Sequence, residues 1–182
     1  MNTRSALAVF AAVLALAGLA VPSTSQDMAV TVKDVQPFPY LAIAHTGPYT
    51  DMETVIGQLI GAFQAQGLFA QIRGPMVGVY YDSPSSTPPD KLTWEVGFIV
   101  TSQTTAEVPL IKKVWEYKTV AAAVHVGPYD EAGAAIAKIM AWAAANGYAA
   151  TGPILERYLD QNPSAVDPSK LRTEIWVPVA KR

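Results

Sequence analysis

Glu95 and Glu174 lie 79 residues apart, each inside a segment that alternates in the manner of a strand. Successive strand side chains point to opposite faces. Arg172, Glu174 and Trp176 therefore share one face, and Leu171, Thr173, Ile175 and Val177 the other. In the earlier segment Lys91, Thr93, Glu95 and Gly97 oppose Leu92, Trp94, Val96, Phe98 and Val100. A carboxylate among aromatic rings can hold an organic cation: the ring faces attract it and the carboxylate supplies the counter-charge. If burial raises its pKa, the same carboxyl can serve as a general acid or base.

Two further segments extend the candidate site. Met76, Gly78 and Tyr80 alternate with Val77, Val79 and Tyr81, and Ile154, Glu156 and Tyr158 alternate with Leu155 and Leu159. The expectation is that the valines and leucines face covering helices, and that the other set joins Glu95 and Glu174 on an open face. The expected ligand-binding residues are Glu174, Glu95, Trp176, Tyr158, Tyr80, Glu156 and Met76. If the chain is an enzyme, Glu174 is the acid or base, and Tyr158 donates a proton or orients water.

Other chemistries find no support. There is no cysteine, so disulfides and thiol catalysis are excluded. No serine nucleophile elbow, phosphate-binding glycine loop or zinc spacing occurs. His45 and His125 are the two histidines. They stand at matching strand ends and are read as scaffold, not as metal or haem ligands. No cofactor or metal is expected.

The elements that must position these residues come from an internal duplication. His-Thr-Gly-Pro-Tyr at His45–Tyr49 returns eighty residues later as His-Val-Gly-Pro-Tyr at His125–Tyr129. Gly67 is matched by Gly147, Gly74-Pro75 by Gly152-Pro153, and Tyr80 and Asp82 by Tyr158 and Asp160. A fixed period of this kind marks one structural unit written twice. Each copy begins with an extended apolar segment that stops at Gly-Pro, because the residue before proline disfavours helix. A helix follows. Met52, Val55, Ile56, Leu59, Ile60 and Phe63 give the first its apolar face, and Ala132, Ile136, Ile139, Met140 and Ala143 the second. Thr50 with Glu53 reads as a capping box, and Asp130 as the second cap. Two strands joined by a proline-rich loop close each copy. The fold class is α+β: duplicated strand-helix-strand-strand units forming a mixed, largely antiparallel sheet, with two helices on one face and an open ligand groove on the other. The copies differ at Gly78 against Glu156 and at Gly97 against Trp176.

Residues 1–25 read as a signal peptide: Arg4, then an apolar run from Ala6 to Val21, then Pro22-Ser23-Thr24-Ser25. The remaining 26–182 suit one domain, with repeats at about 30–101 and 114–180. The chain carries 13 Lys and Arg against 15 Asp and Glu. No basic cluster appears, so no nucleic-acid partner is expected. The expected location is periplasmic or secreted, with no membrane association once the leader is removed.

These residues carry a family resemblance. The His-x-Gly-Pro-Tyr turn, the Tyr-x-Asp end of the middle strand, the loop prolines and Thr173-Glu174-Ile175-Trp176-Val177-Pro178-Val179 resemble the GyrI-like small-molecule-binding domain over roughly 28–180. That domain is also the effector-binding module of some transcription activators, and it is related to the SOUL haem-binding proteins. The resemblance implies a groove at the repeat interface and a carboxylate at Glu174 facing hydrophobic or cationic compounds. Some members are hydrolases of strained cyclic toxins. The chain lacks the helix-turn-helix of the regulators. The expected function is an exported small-molecule-binding protein for apolar or cationic organic ligands. The alternatives are a hydrolase using Glu174 and an envelope protein-interaction module.

Overall fold

A computed structural model describes residues 28–182; the signal peptide read at 1–25 lies outside them. The chain runs β1 (Thr31–Asp34), β2 (Phe38–Thr46), α1 (Met52–Ala65), β3 (Ile72–Tyr80), β4 (Thr93–Val100), β5 (Ile111–Trp115), β6 (Thr119–Val126), α2 (Ala132–Ala145), β7 (Tyr148–Ala150), β8 (Ile154–Tyr158) and β9 (Arg172–Lys181). The strands form one nine-stranded sheet ordered β1-β6-β9-β8-β3-β4-β2-β5, with β7 added along the end of β9. The sheet expected to be largely antiparallel is antiparallel in every described pairing. No described helix is long and apolar enough to cross a membrane.

The duplication is visible in the backbone. At each repeated pentapeptide the glycine takes positive φ, 150° at Gly47 and 145° at Gly127. Its N–H donates to the carbonyl of Leu92 or Leu171, 2.9 Å in both copies. A side chain other than hydrogen would be strained there. Each helix then starts from a 3-10 turn, Tyr49–Asp51 or Tyr129–Glu131, and neither has a side-chain cap. The capping roles expected of Thr50 and Asp130 are not filled. Gly67 and Gly147 end the helices with φ of 65° and 79°, the left-handed termination that glycine favours.

α1 buries Val55, Leu59, Ala62 and Phe63 against β2 and β4. α2 buries Ala132, Ala135, Ile139 and Ala143 against β6, β7 and β9. Ile60 and Met140, expected on those faces, are exposed. The helix-face core is thus split in two, one cluster under each helix. The face away from the helices is not an open polar surface. It carries a third core of Tyr40, Val77, Val79, Ile99, Trp115, Leu155 and Trp176 among others.

Each copy also has a leading strand that the four-element unit did not include. β1 pairs with β6 of the second copy, and β5 pairs with β2 of the first. Each leading strand therefore completes the other copy's half of the sheet.

Candidate functional site

Strand register divides the expected site residues between the two faces. Directly paired residues share a face. Gly78 pairs with Val96, and Glu156 with Ile175; Val96 and Ile175 belong to the cores beneath α1 and α2. Met76, Gly78, Tyr80, Ile154, Glu156 and Tyr158 consequently face the helices, not away from them as expected. Val79 and Leu155 pair with each other and with Glu95 and Trp176 respectively, which places them on the far face. The sequence expectation failed because it assumed that only one face would be apolar. Here both faces bury side chains.

The β3–β8 pair is the centre of the sheet and lies between the strands that α1 and α2 cover. Its helix-side residues lie in the strip of sheet between the strands that α1 and α2 cover. At its centre the Glu156 carboxylate, 6% exposed, accepts from Tyr158 Oη at 2.9 Å and from Tyr80 Oη at 3.4 Å. The two phenols are 2.7 Å apart. Tyr49 and Tyr129 of the repeated pentapeptides pack edge-on against Tyr80 and Tyr158, with centroids 5.3 and 5.1 Å apart. Tyr49, Met76, Tyr80 and Tyr129 are partly exposed, so this strip meets solvent. Tyr49 and Tyr129 were not expected as site residues. Their signal was present, since each closes the pentapeptide that marks the repeat.

Glu156 has no cationic partner among the described ion pairs. Burial pushes the Glu156 carboxyl up to about 7, against the opposing hydrogen bonds from Tyr158 and Tyr80. Burial also raises both phenols well above their ordinary value, so they remain donors. Such a constellation suits two tasks. It can bind an organic cation between ring faces and a carboxylate, or exchange a proton near neutral pH.

The far-face carboxylates are different. Glu174 does lie on that face with Trp176, as expected, but both its oxygens are taken, by Lys33 and by Arg157. The two cations lie 4.8 and 4.7 Å from the Trp176 ring centroid. Burial pushes the Glu174 carboxyl up, but its cationic neighbours outweigh this and hold it below the usual range. Glu95, 1% exposed, accepts from Tyr40, from Tyr81 at 2.8 Å and from Lys113 at 2.6 Å. Lys33 and Lys113 are themselves eighty residues apart. Each sits on a leading strand and reaches the glutamate of the opposite copy. The matched pair that stands out in the sequence is thus already neutralised. Its partner lysines carry no repeat signal, because they precede the recognisable part of each copy.

His45 Nε2 lies 2.9 Å from Asp51 Oδ2, and His125 Nε2 lies 3.0 Å from the Pro128 carbonyl. Both tie a strand end to the turn that follows.

The GyrI-like small molecule binding domain family matches residues 28–180. No functionally curated protein matches the chain in sequence. Among solved structures, the EcmrR–DNA complex in EcmrR-RPo is similar at 21% identity and TM-score 0.73, over 85% of this chain and 58% of that one. The EcmrR C-terminal domain alone gives 23% identity and 0.70, over 85% and 99%. A hydrolase from Listeria innocua gives 16% and 0.62, over 83% and 91%. SAV2435 bound to tetraphenylphosphonium gives 10% and 0.60, over 84% and 94%. At these identities the likeness establishes the fold. This chain spans little more than half of EcmrR, so the DNA in that complex says nothing of a nucleic-acid partner here.

Proposed function

The chain belongs to the GyrI-like small molecule binding domain family, and from that premise we propose that it binds apolar and cationic organic molecules in the groove between its two repeats, with Glu156 as counter-charge. The observation that carries this reading is the state of Glu156. It is a buried carboxylate given hydroxyl donors and aromatic neighbours but no cation among the described residues. Burying a charge without a partner is costly, and a bound cation would relieve that cost. Glu95 and Glu174 have no such need. The similar fold in SAV2435 was solved with tetraphenylphosphonium, a cation of this class.

The reading includes export. The apolar run from Ala6 to Val21 after Arg4 supports a leader and a periplasmic or secreted binder. Edman sequencing of protein recovered from the periplasm and medium of its host tests this, and a mature chain still beginning at Met1 overturns it.

Calorimetric titration of tetraphenylphosphonium into wild type and Glu156→Gln tests the site. The variant should bind at least about tenfold more weakly, a loss of about 1.4 kcal/mol, with unchanged circular dichroism. Equal affinity in the folded variant refutes the assignment.

One observation favours a second reading. A carboxyl raised to about 7 beside two phenols is suited to general acid–base work, and a hydrolase has a similar fold. Glu156, with Tyr158 or Tyr80, would then replace Glu174 as the reacting group, because Glu174 is held ionised by two cations. Turnover of a strained or activated small molecule that Glu156→Gln abolishes while ligand still binds would distinguish hydrolysis from binding alone.

A further inference from the structure

The leading strands β1 and β5 are the two end strands of the sheet, and they occupy corresponding positions of the two copies, eighty residues apart. Their outer edges differ. Asp34 in the first copy corresponds to Val114 in the second, Gln36 to Glu116 and Pro37 to Tyr117. A charge and a proline are devices that keep a free sheet edge from pairing with another chain. The first copy has both. The second exposes Val114, 49% accessible, and Tyr117 in their place.

Pro39 decides which backbone groups of β5 face outward. It lies opposite Val114 and has no N–H to give, so the flanking pairs Phe38–Trp115 and Tyr40–Lys113 carry the ladder bonds. Bonded and non-bonded pairs alternate in an antiparallel ladder. The N–H and C=O of Val114 therefore point away from β2, and by the same alternation so do those of Lys112 and Glu116. No turn or loop backbone among the described residues takes them. Open space of about 680 Å³ is lined by every residue from Lys112 to Tyr117. Side chains from both faces of a strand border one space only where it follows the strand's edge.

The side chains flanking this edge are self-complementary. Lys112 pairs with Leu41, which belongs to the core beneath α1. Lys112, Val114 and Glu116 therefore share the helix side of β5, with one charge of each sign two residues to either side of Val114. All three are exposed. Lys112 donates to the Ser102 carbonyl at 2.6 Å, which leaves two of its three N–H groups for another acceptor. Lys113, on the far side, is already held by Glu95.

We propose that β5 pairs with β5 of a second copy, antiparallel and about a two-fold axis at Val114. Val114 then meets the partner's Val114, Lys112 the partner's Glu116 and Glu116 the partner's Lys112. Apolar β-branched and opposite-charge pairs directly across a ladder stabilise it. The outward N–H and C=O groups of all three residues find partners in this register. The same axis placed on β1 would set Asp34 against the partner's Asp34, and like charges directly opposite oppose pairing. The contact is isologous and uses up the edge it needs, so it closes at two copies.

Sedimentation equilibrium of the protein from about 1 to about 100 μM tests the proposal. Wild type should show a reversible monomer–dimer equilibrium. Lys112→Glu, which faces the partner's Glu116, should weaken dimerisation at least about tenfold, and Lys112→Glu combined with Glu116→Lys should restore it to within about threefold. Val114→Pro removes an N–H that makes no bond within the monomer. It should stay monomeric, with the circular dichroism and urea midpoint of wild type. The proposal is overturned if wild type is monomeric throughout, if the dimer persists in Val114→Pro, or if the charge exchange fails to restore association. An unfolded Val114→Pro overturns it as well, because that N–H would then belong to the ladder with β2.

Discussion

Gly78 and Glu156 face each other directly across the β3–β8 ladder, and they occupy corresponding positions of the two copies. One copy supplies the charge and the other the room for it. A Cβ on Gly78 would come within 2.8 Å of the Tyr80 hydroxyl and 3.0 Å of that of Tyr158. The duplication thus ends in one carboxylate at the junction, where a second would have met it with like charge.

Gly78→Ala should therefore disturb the site with little effect elsewhere. The two phenols must shift by a few tenths of an ångström, which loosens their 2.7 Å contact and their bonds to Glu156. The expected outcome is a folded protein destabilised by about 1–2 kcal/mol that binds tetraphenylphosphonium several-fold more weakly. Urea unfolding and calorimetry read the two effects separately.

Cation binding in the groove should follow the ionisation of Glu156. Its carboxyl is raised to about 7, so the counter-charge is present above that pH and lost below it. Affinity for tetraphenylphosphonium should be flat above about pH 8. It should fall by up to about tenfold per unit below pH 7. In Glu156→Gln the profile should be flat throughout. A wild-type profile without a step between pH 6 and 8 would remove Glu156 from the binding equilibrium.

The same ionisation costs stability. The folded carboxyl holds its proton to about pH 7, whereas the unfolded chain releases it near 4.5, the ordinary value of a glutamate. The folded state therefore binds more protons between these values, and stability falls as pH rises through them. Glu156→Gln removes that cost. The variant should be more stable than wild type at pH 8, by up to about 3 kcal/mol, and similar to it at pH 4. Urea denaturation at the two pH values checks this, and a variant less stable at pH 8 contradicts it.

The sequence is informative about the fold because duplication, glycine turns and helix periodicity are local signals. His45–Tyr49 and His125–Tyr129 locate both strand-to-helix turns, and Gly67 and Gly147 both helix ends. The alternation of β9 also places Glu174 and Trp176 correctly. Alternation says which residues share a face, but not which face that is. On β3 and β8 every residue is apolar, aromatic or glycine except Arg73, Glu156 and Arg157, so polarity could not orient the strands. Only their pairing with Val96 and Ile175 does so. The ion pairs were hidden for another reason: Lys33 and Lys113 reach their glutamates across the repeat boundary, through strand exchange that no local pattern reveals.

Glu174→Gln separates the two carboxylate roles. In the folded state its carboxyl lies below the usual range, so its ion pairs stabilise the protein above the unfolded value and cease to do so as pH falls through the folded one. The variant leaves Lys33 and Arg157 without their acceptor. It should lose about 1–3 kcal/mol at pH 7, and that loss should shrink toward pH 3. Lys33 lies on β1, which is held to the sheet through β6, so hydrogen exchange should quicken first at Thr31–Asp34. Groove binding should be unchanged, because Glu174 is on the opposite face from Glu156. If tetraphenylphosphonium affinity falls in Glu174→Gln as far as in Glu156→Gln while β1 stays protected, the far-face glutamate is the counter-charge and the groove is not the site.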